Sequence, residues 1–204
     1  MNAAFYGSST IAGVGLQPND QRFTTILAQE MGMAEVNLGV ASSVVTGRDL
    51  DAQIVSQQSG VVRVPDIFES DPALVVVLYG YDDMRQEKPL GDLGDFRPGT
   101  FASDFDSMVR GIAGGCVLDR IVVMTLEFVE PDGAEGASGP YNEVIRKIAA
   151  RYGLRLFDAA AIARSNAGSF IAPMEPPFAL SAEGHRILAR EMARFLQTTA
   201  PPHE

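Results

Sequence analysis

The sequence predicts an α/β domain, a parallel sheet wound with helices on both sides, and three observations carry that prediction. Short apolar runs alternate with longer amphipathic segments along the chain. Two of the runs, Val75–Leu78 and Ile121–Met124, are uninterrupted and rich in β-branched residues, as strands buried on both faces require. Segments rich in Gly, Asp and Pro follow the third and fourth runs, where an α/β sheet has the loops of its carboxyl edge and normally binds its ligands.

In chain order, the first strand is the apolar run Ala3–Tyr6, and an amphipathic helix is expected over 19–32. Ala34–Leu38 is the second strand, followed by a helix over 47–62. Leu74–Tyr79 is the third strand, and the Gly/Asp/Pro-rich segment 80–100 reads as a loop before a helix over 101–113. The fourth strand, Ile121–Leu126, leads into a second loop over 130–140 and a helix over 140–152. Leu154–Phe157 is the fifth strand, with a short helix over Asp158–Ser165. In the last helix, 181–197, Ile187, Leu188, Met192, Phe195 and Leu196 recur on one face, and Ser181 before Glu183 and Gly184 suits a helix start. The expected organisation is one domain over 1–198 with a tail over 199–204.

Composition narrows the function. A chain of 204 residues fills one ordinary domain with a single core. One cysteine, Cys116, excludes an internal disulfide framework and any Cys-cluster metal site. A net charge of −10 argues against a nucleic-acid partner. The apolar runs, about seven residues at most, fall far short of the ~20 needed to cross a bilayer. No secretory pattern follows Met1, so a cytoplasmic protein without a membrane partner is expected. There is no phosphate-binding loop and no EF-hand spacing, and Gly13-Val14-Gly15 lacks the third glycine of a dinucleotide fingerprint. Neither metal nor cofactor is therefore expected. The two histidines are His185, inside the last helix, and His203, in the tail.

Four short blocks occur in order. Gly7-Ser8-Ser9-Thr10 follows strand one, Val36–Ser42 spans strand two and its exit, Gly80-Tyr81-Asp82-Asp83 follows strand three, and Leu180–Ala189 with Gly184-His185 opens the last helix. Together they resemble the SGNH, or GDSL-type, hydrolase superfamily over nearly the whole chain. The resemblance implies a flavodoxin-like three-layer α/β/α sandwich with a five-stranded parallel sheet. It also implies a serine nucleophile in the first block and a D-x-x-H pair just before the last helix. The oxyanion donors it implies are the serine N–H, a glycine N–H in the second block and an asparagine side chain in the third.

Carried over residue by residue, the resemblance puts Ser9 at the nucleophile and Ser8 where the family has aspartate. It puts Ser42 at the second-block glycine and Asp82 at the third-block asparagine. The D-x-x-H block falls on Pro176-Pro177-Phe178-Ala179, so alanine stands at the base and proline at the orienting position. His185 lies six residues beyond, roughly 9 Å along a helix, and is expected to be structural. The triad is degenerate. Ser9 is then either a ligand-contacting or nucleophilic residue or a turn residue retained by descent.

Acids and aromatics crowd the carboxyl-edge loops: Tyr79, Tyr81, Asp82 and Asp83 after strand three, Glu127, Phe128, Glu130 and Asp132 after strand four, and Glu175 before the prolines. Carboxyl groups sharing a pocket raise one another's pKa, so Asp82 and Glu127 are candidate catalytic groups with Ser9. A protonated Asp82 would mimic the missing asparagine. Glu130, Asp132 and Glu175 read as solvated loop charges. Ser42, Tyr81, Asp83, Phe178 and Ala179 are candidate substrate contacts, for a ligand with an apolar face and a cationic or hydroxylated end. Three functions follow: non-standard acid/base or acyl chemistry on a specialised small molecule, a noncatalytic protein binding a small molecule or a partner, or a residual esterase or thioesterase using Ser9.

Overall fold

The computed structural model describes residues 1–17, 21–47, 57–95, 97–128, 134–171 and 179–199. In chain order its elements begin with strand β1 (Asn2–Gly7), helices α1 (Ser9–Ala12) and α2 (Phe23–Glu30), strand β2 (Ala34–Gly39) and helix α3 (Pro65–Phe68). Strand β3 (Pro72–Leu78), helices α4 (Tyr81–Arg85) and α5 (Phe101–Gly115) and strand β4 (Ile121–Met124) follow. The chain continues through α6 (Gly139–Tyr152), β5 (Arg155–Phe157), α7 (Ala159–Ser165), α8 (Ala167–Phe170) and α9 (Ala182–Thr198). The five strands form one parallel sheet in the order β2-β1-β3-β4-β5. Helix α2 packs on α9 and α5 on α6, giving the two helical layers of a three-layer α/β/α sandwich.

The central strands are apolar for the expected reason. Val75, Val76 and Val77 of β3 and Val122 and Val123 of β4 are fully buried, since both sheet faces are covered by helices. Five strands and the helices over 101–113, 140–152 and 181–197 stand where the sequence predicts them, within a residue or two. Ser181 caps α9 through its side chain, which accepts the Gly184 N–H at 2.8 Å.

Two local expectations are corrected. The predicted helix over 47–62 is absent from its described part: 57–62 form turns. Tertiary contacts hold those turns, because Tyr6 Oη donates to the Gly60 carbonyl at 2.5 Å and Gly60 N–H donates to the Val44 carbonyl at 2.9 Å. Residues 48–56 lie outside the described residues, as do 19 and 20 of the expected 19–32 helix, which begins at Phe23. The segment 80–100 is not all loop. It opens with α4, entered through Gly80 at φ +125, a conformation that L side chains rarely adopt.

The sheet order reverses direction between β1 and β3, with β2 on one side and β4 and β5 on the other, so the exits of β1 and β3 flank the crevice where such sheets bind ligands. Packing fixes the first exit. A Cβ on Gly7 would stand 2.3 Å from the Leu78 carbonyl oxygen, and one on Gly39 would stand 2.4 Å from the Ala12 nitrogen. Only glycine lets the β1–α1 turn sit this tightly between the ends of β2 and β3.

His185 is fully buried between α2 and α9. Its Nδ1 accepts the N–H of Phe23 at 3.1 Å, satisfying a donor left over at the start of α2, and its ring stacks on Phe23 with centroids 6.1 Å apart. An Nδ1 that accepts a backbone N–H carries no proton, so the ring is the neutral Nε2–H tautomer. The structure thus gives His185 the structural role expected of it. His185→Ala should remove the cap and leave a cavity, lowering unfolding free energy by about 3 kcal/mol in urea titration.

Candidate active site

Four segments, distant in sequence, meet at the carboxyl edge of the sheet around a small open cleft. Ser9, Thr10 and Val14 come from the β1 exit, Ser42 from the β2 exit, Tyr81, Asp82 and Arg85 from α4, and Ala179 from the approach to α9.

Ser9 begins α1, and its hydroxyl lies between two partners. Oγ donates to Asp82 Oδ2 at 2.7 Å and accepts the Ser42 N–H at 3.0 Å. The Ser9 N–H also donates to Asp82 Oδ2, at 3.2 Å. The other Asp82 oxygen, Oδ1, accepts from Arg85 Nη2 at 3.2 Å and Nε at 3.4 Å. Both oxygens of Asp82 thus face protein donors. Arg85 pairs with Asp82 one turn along α4.

Ser42 takes φ +60, the left-handed region that glycine enters without penalty. The loop holds it there: Gln86 Nε2 donates to the Ser42 carbonyl at 2.9 Å, and Arg85 Nη2 reaches Ser42 Oγ at 3.4 Å. A glycine-type backbone and its inward N–H therefore persist with a serine in place.

Tyr81 lines the cleft with its ring stacked on Phe128, centroids 4.0 Å apart. Ala179 also lines it, buried and apolar. Asp83 does not line the cleft. It is fully buried, with its carboxylate accepting the N–H groups of Val45 and Thr46 at 3.0 to 3.2 Å, so it anchors the loop that carries Ser42. Burial pushes its pKa up to about 6 against those hydrogen bonds.

Glu127, expected at the pocket edge, lies one layer deeper. It is fully buried behind Thr10, whose hydroxyl donates to Oε1, while Oε2 has no hydrogen-bond partner among the described residues. Burial raises its pKa to about 7. It reaches the cleft only through Thr10. Phe178, Pro176, Pro177, Glu130, Asp132, Glu175 and His203 lie outside the described residues. Among the described residues no cluster of His, Cys, Asp or Glu is built to hold a metal, and no helix is long and apolar enough to cross a membrane.

Thr10, Val14 and Arg85 are the lining residues that sequence reasoning missed. Thr10 was legible as the neighbour of Ser9. Arg85 was legible as the i+3 partner of Asp82, had residues 81–85 been read as a turn of helix.

The depth of Glu127 gives a stability prediction. The folded state keeps a proton on Glu127 up to about pH 7, whereas the unfolded chain releases it near 4.5. Its contribution is therefore fully present below pH 4.5 and lost as pH rises to 7. Between pH 4.5 and 8 the wild type should lose on the order of 3 kcal/mol relative to Glu127→Gln, which does not titrate, as read from urea denaturation across that range.

Comparison with known proteins agrees with this fold. The profile of the GDSL-like Lipase/Acylhydrolase family matches residues 5–187, from β1 to the first turns of α9. Among solved structures, a Lactobacillus plantarum protein is similar at 23% identity and a TM-score of 0.78, covering 97% of this chain and 96% of its own. The lipase/acylhydrolase from Enterococcus faecalis is similar at 14% identity and a TM-score of 0.68, with 100% and 98% covered. The psychrotrophic esterase EstA from Pseudoalteromonas sp., in a structure inhibited by monoethylphosphonate, is similar at 12% identity and 0.69, with 97% of both chains covered. No curated protein sequence matches. At these identities the structures establish a shared fold, and the profile match over most of the chain establishes more: this chain belongs to the GDSL-like Lipase/Acylhydrolase family.

Proposed function

We propose that this protein performs acyl chemistry on a small ester or thioester, with Ser9 as nucleophile and Asp82 in the role that the family gives to histidine. The observation that carries the reading is the hydroxyl of Ser9, held at the cleft between the Asp82 carboxylate at 2.7 Å and the Ser42 N–H at 3.0 Å. A serine hydroxyl needs a base within hydrogen-bond reach, and Asp82 Oδ2 is the group that has it.

As Ser9 Oγ bonds to the substrate carbonyl carbon, its proton passes to Asp82 Oδ2 and the carbonyl electrons move to oxygen. The N–H groups of Ser9 and Ser42 are the backbone donors for that oxyanion, and Arg85 supplies the positive charge that offsets Asp82 beside it. Collapse of the intermediate breaks the bond to the leaving alcohol or thiol, which takes the proton back from Asp82. Water then attacks the acyl-Ser9 ester, gives its proton to Asp82, and the serine recovers it as the acid departs. A carboxylate is a weaker base than imidazole, so turnover is slow beside a full triad and a specialised substrate is expected.

A second reading, a noncatalytic small-molecule binder, has one observation in its favour: Ala179, buried and apolar, lines the cleft at the family's base position. The two readings part on labelling and on Asp82. Under the catalytic reading a fluorophosphonate probe labels the wild type at Ser9 and not Ser9→Ala, detected by intact mass. Asp82→Asn should lower the acylation rate by about 10² to 10⁴, the range of general base catalysis. If instead the asparagine raised the rate, Asp82 would be a defective oxyanion residue and not a base. Absence of labelling together with unchanged ligand binding in Ser9→Ala would leave the binding reading.

A further inference from the structure

We propose that the cleft selects an acyl compound bearing a carboxylate a short chain away from its scissile carbonyl, and that Arg85 is the residue that recognises it. The substrate class rests on the reading of Ser9 as nucleophile; the recognition of the anion does not.

The charges of the cleft are unevenly presented. Asp82 is 1% exposed at its side chain, with both oxygens turned to protein donors, whereas the Arg85 side chain is 35% exposed. A ligand entering from solvent therefore meets the guanidinium first. The rest of the lining, Ser9, Thr10, Val14, Ser42, Tyr81 and Ala179, has no Asp, Glu, Lys, Arg or His. In a protein of net charge −10, the one exposed formal charge of the described lining is positive.

Arg85 is also not saturated by its partner. Its contacts with Asp82 are 3.2 and 3.4 Å, longer than the ~2.7–2.9 Å of a tight charge-assisted pair. Among the described residues, hydrogen bonds engage Nε and Nη2, on Asp82 and Ser42, and Nη1 has none. A carboxylate that takes Nη1 and displaces the 3.4 Å contact of Nη2 with Ser42 would accept two parallel N–H bonds from the planar guanidinium. Ser9 Oγ and Arg85 Nη2 bracket the same Ser42 residue, one at its N–H and the other at its hydroxyl. An anion on Arg85 thus places the other end of a short chain over Ser9, with Val14, Tyr81 and Ala179 as the apolar wall. This reverses the cationic ligand end expected from the acid-rich loops, because among the described lining residues the acid, Asp82, is buried and the arginine is partly exposed.

The test uses an isosteric pair of ligands and a pair of esters that differ by the terminal carboxylate. Binding of succinamate and of the neutral succinamide to the wild type is measured by titration calorimetry, and hydrolysis of p-nitrophenyl succinate is compared with that of p-nitrophenyl butyrate. The anion should bind at least 10-fold tighter than the diamide, and the succinyl ester should have a kcat/KM at least 10-fold above the butyryl ester. Both ratios should fall to about one in Arg85→Met, while Arg85→Lys, which keeps the charge without the fork, should retain part of each. Because Arg85 also holds Asp82, only the ratios are read, and a retained ratio in Arg85→Met overturns the proposal. Equal binding of succinamate and succinamide overturns it as well, whatever the rates. Selective binding of succinamate with no turnover and no labelling of Ser9 would support Arg85 as an anion receptor and count against Ser9 as nucleophile.

Discussion

At the working edge of the sheet, one carboxylate ties the exit of β1 to the helix that follows β3. Asp82 accepts the hydroxyl and the N–H of Ser9 from the end of β1 and the guanidinium of Arg85 from its own helix after β3. Those strands are neighbours at the point where the winding reverses, so no helix bridges their exits and the crevice is held from side to side by hydrogen bonds. The hydrogen bonds of the serine hydroxyl, the aspartate and the arginine form one arrangement. Changing any of the three leaves a charge or a donor without its counterpart in a largely buried place.

Beneath that surface lies a second layer of acids with another task. Asp83 gathers the N–H groups of Val45 and Thr46 and so fixes the loop that presents Ser42. Glu127 takes the hydroxyl of Thr10, tying the β4 exit to the β1 turn. Both are fully buried, and burial raises the pKa of each into or near the neutral range. Asp83 and Glu127 are thus internal scaffolding, and among the described residues the lining of the cleft is partly apolar, with Arg85 its one exposed charge.

The fold was legible because its signals are long and redundant. Val75–Leu78 and Ile121–Met124 can hardly be anything but buried strands, and the α9 face built from Ile187, Leu188 and Met192 repeats over several turns. Ser9, Ser42, Asp82 and Ala179 were legible as a set through the order of four blocks, and they converge on one cleft. What escaped was decided at shorter range or in depth. Helix α4 has five residues, too few to show a period, so the pairing of Asp82 with Arg85 was hidden inside a loop reading. Charged residues are rarely fully buried, so the reading put Asp83 and Glu127 at the lining of the cleft, and both lie beneath it. The turns over 57–62 obey Tyr6 and Val44, contacts that no local pattern announces.

The glycines flanking the β1 turn carry a further consequence. Gly7 and Gly39 let backbone approach backbone where any side chain would collide, and that contact alone determines where Ser9 stands. The serine's seat is thus a property of packing and does not depend on the group that activates it. In such a scaffold the nucleophile and its activator are separable parts. A lineage could lose its histidine, recruit a neighbouring carboxylate and still find the hydroxyl in place, which makes the chemistry of the edge more free to drift than the sheet that supports it.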